Sequence, residues 1–437
     1  MKRLFFSLYF VLCTLYLCSA QAVLYNGGTD ITADAGSIIY VDGDVINSLN
    51  GTIHNQGDIY LTKNWTNHHL AGCLDPTTGT VILDGASTQT ITGSASTTFN
   101  NLDCRKGSKK KLYIDTYVGG NTGVLMLKSS PFELNSNTLM VTNPLPGAIT
   151  RTSGYIISET EPVPGYGTVE WRIKNASAGT NYTYPFGTNA SVYVPFVFNV
   201  KTAGVQSSTG AMAVSTYPTN VTASPNNRPL PTGVSNLNDL SNAANPEAGP
   251  ICADRFWITD PLNYTTKPTA DIIFTYTDAE WNTLGGSTNK IFEDSLRAWR
   301  WTGSQWQLPA VGTGNPATNQ VTVKSVNTFT QWTLMGEEPP PPPPCGDFFL
   351  PNAFSPNSDG MNDYFKPRNN CIASLDFKIY NRWGNLVYWS TSPADPGWDG
   401  STFKTKDGSV AVYSYILFAT LQDGTHYDKK GTVTLLK

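Results

Sequence analysis

Between Val23 and about Asn143, apolar residues come in short bursts that alternate with polar ones and break at Gly, Asn and Asp. They include Ser37–Val41, Gly43–Asn47, Gly51–Asn55, Asp58–Thr62, Gly79–Asp84 and Gln89–Gly93. Alternation over so few residues predicts strands with one buried face, and the bursts follow one another too closely for helices between them. The recurring Gly-x-Ile/Val-x-Asn unit on a short period predicts a β-solenoid-like region over residues 21–143, whose stacked coils would align Asn ladders and Ile/Val stacks. The period is imperfect, and a sandwich with irregular turns is the alternative.

From residue 144 to 336 the bursts lengthen, as in Thr168–Lys174, Val192–Val200, Ala270–Tyr276 and Gln320–Lys324. Apolar and polar positions alternate cleanly in them, which predicts half-buried antiparallel strands in a β-sandwich region of one or two domains. The Asn- and Pro-rich stretch Thr219–Pro250 reads as a long loop or the seam between two sheets. Residues 337–344 close on the six-proline run Pro339–Pro344. At about 3.1 Å per residue of polyproline II, that run is a stiff spacer of roughly 20 Å. Beyond it, Phe377–Tyr380, Leu386–Trp389, Val412–Phe418 and Thr432–Leu436 alternate again, enough for an immunoglobulin-like sandwich over residues 345–437. The fold class expected is all-β throughout.

Composition agrees, because charged residues are 14% of the chain while Gly, Asn, Thr, Ser and Pro abound. Lys2 and Arg3 precede an apolar stretch from Leu4 to Leu17, and Cys18-Ser19-Ala20 offers a small-residue cleavage site, so residues 1–20 read as a signal peptide. The stretch is short for a membrane span, and no direct span is expected elsewhere. Net charge is -4 with no basic block, which argues against nucleic acid as a partner. Five cysteines lie beyond the leader. Cys345 and Cys371 bracket the start of the terminal module and form the favoured disulfide, closing a loop whose restraint is worth roughly 3 kcal/mol. Cys73 with Cys104 is the weaker pairing, and Cys252 reads as a small buried thiol.

The terminal module carries the most specific residues. Pro351, Asn352, Phe354, Pro356, Asn357, Asp359, Gly360, Asn362, Asp363 and Phe365 open it. Ile379, Tyr380, Asn381, Arg382, Trp383 and Gly384 form a second motif, Trp398, Asp399 and Gly400 a third, and Gly431 to Lys437 the close. This order resembles the gliding-motility-associated C-terminal domain, the type B sorting domain of Bacteroidetes type IX secretion cargo. The one departure is Ala411 where the family more often has Gly, and the resemblance covers about a fifth of the chain. It implies a domain recognised by the type IX translocon and by a PorP/SprF-type outer-membrane barrel, and a secreted protein attached at the outer-membrane surface. Arg382 and an exposed terminal strand are the expected recognition elements, since an unpaired strand edge can accept a partner strand. Trp383, Trp398, Tyr413 and Phe418 stand open between core and contact.

Catalytic patterns are scarce. The four histidines (His54, His68, His69 and His426) lack zinc spacing, and no nucleophile elbow or phosphate loop occurs. Glu159, Glu170, Asp254 and Asp271 could serve a glycosidase only if the fold brought them together. Trp299 and Trp301 alternate onto one strand face with Trp306 nearby; such a face is more often core than sugar platform. Asn357, Asp359 and Asp363 resemble part of a calcium loop, but Lys366 stands where an EF-hand needs its bidentate Glu. No cofactor is expected, with calcium the sole alternative. A structural or adhesive surface protein binding glycans or neighbouring surface proteins is the first reading; a secreted polysaccharide-active enzyme or carbohydrate-binding module is the second.

Overall fold

The computed structural model describes residues 22–70, 73–74, 78–160, 165–219, 230–238, 249–282, 288–308, 312–339, 345–402 and 410–436. Residues 1–21, which include the expected signal peptide, the prolines from 340 to 344 and Lys437 lie outside them. The described residues form strands and a few three-residue helical turns, in two compact units, 1–339 and 340–437.

The first unit begins as a β-solenoid of about six turns. Seven parallel strands, from Ala22–Asn26 to Tyr155–Ile157, form one wall, and six, from Ile38–Val41 to Ile149–Arg151, form another. Successive coils advance the chain by 19 to 30 residues, as Thr98 pairs with Tyr117, Val45 with Trp65 and Thr138 with Thr168. The sequence dictates this winding through its ladders. Ile39, Ile59, Val81, Leu102, Leu125 and Ile149 stack along one inward row, and Val41, Leu61, Leu83, Cys104 and Leu127 along the next.

At one corner Asn26, Asn47 and Asn67 stack in register and are buried. The Asn47 amide donates to Gly51 O at 2.9 Å and the Asn67 amide to Ser96 O at 2.8 Å. Where the coil bends, backbone carbonyls lose ladder partners, and the amides replace them. The next rung is Gly93, at φ 139°, where a Cβ would lie 1.8 Å from Asn67 O. Only glycine fits there.

Parallel pairing runs on past residue 143, the divide expected from the change in burst length. Thr168–Trp171 pairs in parallel with Thr138–Val141 on one side and antiparallel with Val205–Pro218 on the other. Solenoid and sandwich therefore share one sheet, and a single apolar core runs from Val41 to Leu334. The antiparallel strand also covers an edge that a solenoid would otherwise leave open. In the sandwich, Trp257 and Trp332 of this sheet pack their rings 5.0 and 5.4 Å from Phe274 of a five-stranded facing sheet.

The second unit is a five-stranded sheet in the order Ala353–Phe354, His426–Leu435, Ala411–Leu421, Ile372–Tyr380, Leu386–Ser390. Extended segments face it, joined by the bridges Phe349↔Arg368 and Phe365↔Trp398.

Candidate recognition surface of the C-terminal unit

The motif residues divide into scaffold and surface. Phe354, Phe365 and Trp398 are buried, with Phe354 and Trp398 rings 5.2 Å apart and Trp398 against Tyr413 at 4.7 Å. Phe365 and Trp398 also exchange backbone hydrogen bonds of 2.8 and 3.0 Å. Gly400, at φ 83°, sits where a Cβ would meet Leu435 Cδ1 at 3.0 Å, and Gly431 leaves room for the Tyr415 hydroxyl, 2.6 Å from where its Cβ would stand. Asp399 Oδ1 accepts Ser401 N at 2.9 Å, closing the turn after Trp398. Pro351 is buried, whereas Asn352 is exposed beside its own O, which accepts Thr434 N at 2.9 Å.

The second motif does the opposite. Its strand ends at Tyr380, and Asn381 then locks a turn: its Oδ1 accepts Trp383 N at 3.0 Å and Asn385 N at 2.9 Å, while Asn381 O accepts Gly384 N at 2.9 Å. Gly384 takes the positive φ of 76° that the turn requires. The result is a rigid tip presenting Trp383, 74% exposed, with the Arg382 guanidinium 5.0 Å from its ring. The open question over the aromatics is thereby resolved: Trp398 and Tyr413 are core, Trp383 and Phe418 are surface.

The terminal strand is only partly an open edge. Thr434 and Leu435 pair with Ala353 and Phe354, so the free edge is confined to the stretch before them, where Lys429 and Lys430 are exposed. Lysines on an edge discourage indiscriminate pairing.

In the loop of Asn357, Asp359 and Asp363 the carboxylates turn to their own backbone. Asp363 accepts Ser358 N at 2.7 Å and Gly360 N at 2.8 Å, and Asp359 accepts Met361 N at 2.7 Å. That last bond, with the Asn357 amide second, holds the Asp359 carboxyl below its ordinary range. Pro356 and Asn362 frame the loop, Asn362 O accepting Ser355 N at 3.1 Å. Sequence reasoning missed Asp395, which accepts Tyr388 Oη at 2.7 Å, Ser390 Oγ and Gly397 N. Burial opposes its charge, yet these donors hold its carboxyl below the usual value.

Cys73, Cys104, Cys252, Cys345 and Cys371 are free thiols, so neither expected disulfide is formed in the structure. Cys73 and Cys104 do not meet: Cys73 hydrogen-bonds Asn47, whereas Cys104 occupies an apolar ladder beside Lys110. Burial pushes the Cys73 thiol up to about 11. Cys345 and Cys371, by contrast, are hydrogen-bonded to each other. Cys252 is buried beside Thr333 Oγ1 at 3.1 Å.

The glycosidase candidates are scattered. Glu170 pairs with Arg172 at 3.1 Å, Asp271 with Lys201 at 3.0 Å, and Asp254 accepts the Thr219 hydroxyl at 3.1 Å. Glu159 borders a cavity of about 820 Å³ together with Arg255, Tyr276 and Glu280. Arg255 is wholly buried and lies 2.7 Å from Glu280 and 3.6 Å from Glu159, so both carboxylates are committed to one guanidinium. Trp299, Trp301 and Trp306 are core, covered by residues 230–238, where Asn236 O accepts the Trp306 indole at 2.7 Å. The stretch read as a loop or seam is, over those residues, a cover for the outer sheet face.

Residues 348–435 match the family model of the CHU_C type IX secretion signal domain. The protein is a type IX secretion cargo whose terminal unit addresses it to that machinery, for secretion and export to the cell surface. No helix among the described residues is long and apolar enough to cross a membrane. No curated protein matches the chain. Among solved structures, the dimeric latent PorU from Porphyromonas gingivalis is similar over 58% of this chain, at 11% identity and a TM-score of 0.14. The chain spans only 25% of that protein, and so slight a likeness carries no argument.

Proposed function

We propose that the protein is a structural or adhesive component of the cell surface, and that its terminal unit is recognised through the Asn381–Gly384 tip. The observation that carries the recognition reading is Trp383. An indole 74% exposed contributes nothing to the core, yet Asn381 and Gly384 lock the turn that presents it. Exposed Trp and Arg on a rigid tip are the residue types that dominate protein interfaces. A PorP/SprF-type outer-membrane barrel is the partner the family resemblance implies, with the translocon itself acting first.

The cargo unit supports a binding role. Its candidate carboxylates are each committed to a cation, a hydroxyl or a backbone donor, and its indoles at 299, 301 and 306 are packed away. What remains is a long, weakly charged ladder surface suited to neighbouring proteins or glycans. Incubation of the full-length surface protein with host polysaccharides tests this: binding without release of oligosaccharide is expected. Release abolished by a single carboxylate substitution would establish the enzyme instead.

A further inference from the structure

Cys345 and Cys371 lie where the proline run enters the terminal unit. The entering segment is laid antiparallel to the one before the first long strand: Phe349 N donates to Arg368 O at 3.1 Å and Arg368 N to Phe349 O at 2.7 Å. The Asn369 amide reaches Gly346 O at 2.5 Å. Continuing this register sets Gly346 opposite Cys371, with Cys345 the adjoining residue, and the two thiols come within hydrogen-bonding reach of each other. Cys371 is buried and fixed on both sides, since Asn369 Oδ1 accepts its N–H at 2.7 Å and its carbonyl accepts Gln422 N at 2.8 Å. Cys345 is partly exposed, and Phe348 anchors the segment by stacking on Tyr427 at 4.4 Å. An accessible thiol is thus held against an immobile one.

We propose that Cys345 and Cys371 are oxidised to a disulfide during export, a staple that carries load from the proline spacer directly into the central sheet. Only the oxidising compartment rests on the secretion reading. A protein disulfide of that compartment is the oxidant. One thiolate attacks it to give a mixed disulfide, the second displaces the carrier, and the carrier leaves as a dithiol with both electrons and the two protons the cysteines gave up. The thiol–thiol hydrogen bond, with desolvation second, holds Cys345 up at about 11, so the thiolate is scarce at neutral pH and a reactive carrier is needed.

The staple has a mechanical consequence. Cargo tethered through the prolines pulls at Cys345. Without the bond, tension runs through residues 346–370, which carry the opening motif and are held by the two-residue strand Ala353–Phe354 and isolated bridges. With it, tension passes to Cys371 and the strand Ile372–Tyr380, paired on both sides.

The test is differential alkylation and mass spectrometry of full-length protein recovered from the cell surface and denatured without reductant. The expected result is one linked peptide pair holding Cys345 and Cys371, with Cys73, Cys104 and Cys252 alkylated. Alkylation of Cys345 and Cys371 without reduction overturns the proposal, and does so even if the protein is exported, which keeps the sorting reading separate. Forced unfolding gives a second readout that does not depend on any variant folding. Reduction should add about 90 Å of contour from the released loop at roughly 3.5 Å per residue. Cys345→Ser, which changes the more exposed thiol, should show the same added length without reductant; no added length in either case overturns the load-bearing role.

Discussion

Replacing the two tryptophans of the terminal motifs separately distinguishes scaffold from address. Trp398 is 1% exposed, packs on Phe354 at 5.2 Å and Tyr413 at 4.7 Å, and donates its indole N–H to Ser401 O at 2.5 Å. Trp398→Ala empties that volume and should cost about 3–5 kcal/mol. For a unit of this size each kcal/mol shifts Tm by about 4–8 °C, so its transition should fall by at least about 12 °C. Trp383→Ala removes a side chain 74% exposed, and its effect on stability should stay within about 0.5 kcal/mol. Calorimetry of the full chain, with the terminal transition assigned as the one missing from a chain ending at Pro339, reads both. Export measured in parallel should fail for both variants, but with a native transition only for Trp383→Ala. If Trp383→Ala destabilises as Trp398→Ala does, or if it exports normally, the division between tip and core is wrong.

Other substitutions probe the cargo unit and the loop. Arg255→Met leaves Glu159 and Glu280 buried without their cation and should destabilise the first unit by about 3–5 kcal/mol in denaturant titration. Lys110 is buried with its ammonium 2.8 Å from Gln89 Oε1 and 3.1 Å from Gly85 O, and burial lowers its pKa from 10.5 to about 8. The unfolded chain then binds the extra proton between those values, so the cost of burying Lys110 is full below pH 8 and is lost as pH rises towards 10.5. Wild type should accordingly gain stability relative to Lys110→Met over that window, measured as a double difference. Asn47→Ala strips the Gly51 carbonyl of its buried donor and should cost about 1–3 kcal/mol in chemical denaturation. Because Asp359 and Asp363 are satisfied by their own turn, neither chelator nor added calcium should move the terminal transition; a rise with calcium would show those carboxylates turning outward.

Much of this was legible in the sequence because ladders are local rules repeated. Gly43–Asn47 and Gly51–Asn55 alternate inward and outward on the strand period, and the Asn at the end of each marks a corner. The junction at Thr168–Trp171 was not legible. That strand alternates like any other, and nothing in it records that one neighbour is parallel and the next antiparallel. In the terminal unit the motif named the residues but not their roles, since Trp383 and Trp398 are the same side chain. What separates them is the Asn381 turn, which turns one outward, and the Phe365 bridge, which folds the other inward. Arg255 and Glu280 escaped notice for a related reason. Residues 25 apart join in an ion pair only because the strand from Cys252 runs beside the turn at Asp278–Glu280.

Export is the central claim, and cell fractionation with surface proteolysis of the native host tests it most directly, comparing the full chain with one truncated after Glu338. The account predicts that the full chain reaches the surface or medium while the truncated one accumulates in the periplasm. Equal export of the two would contradict it, because the terminal unit would then not be the address.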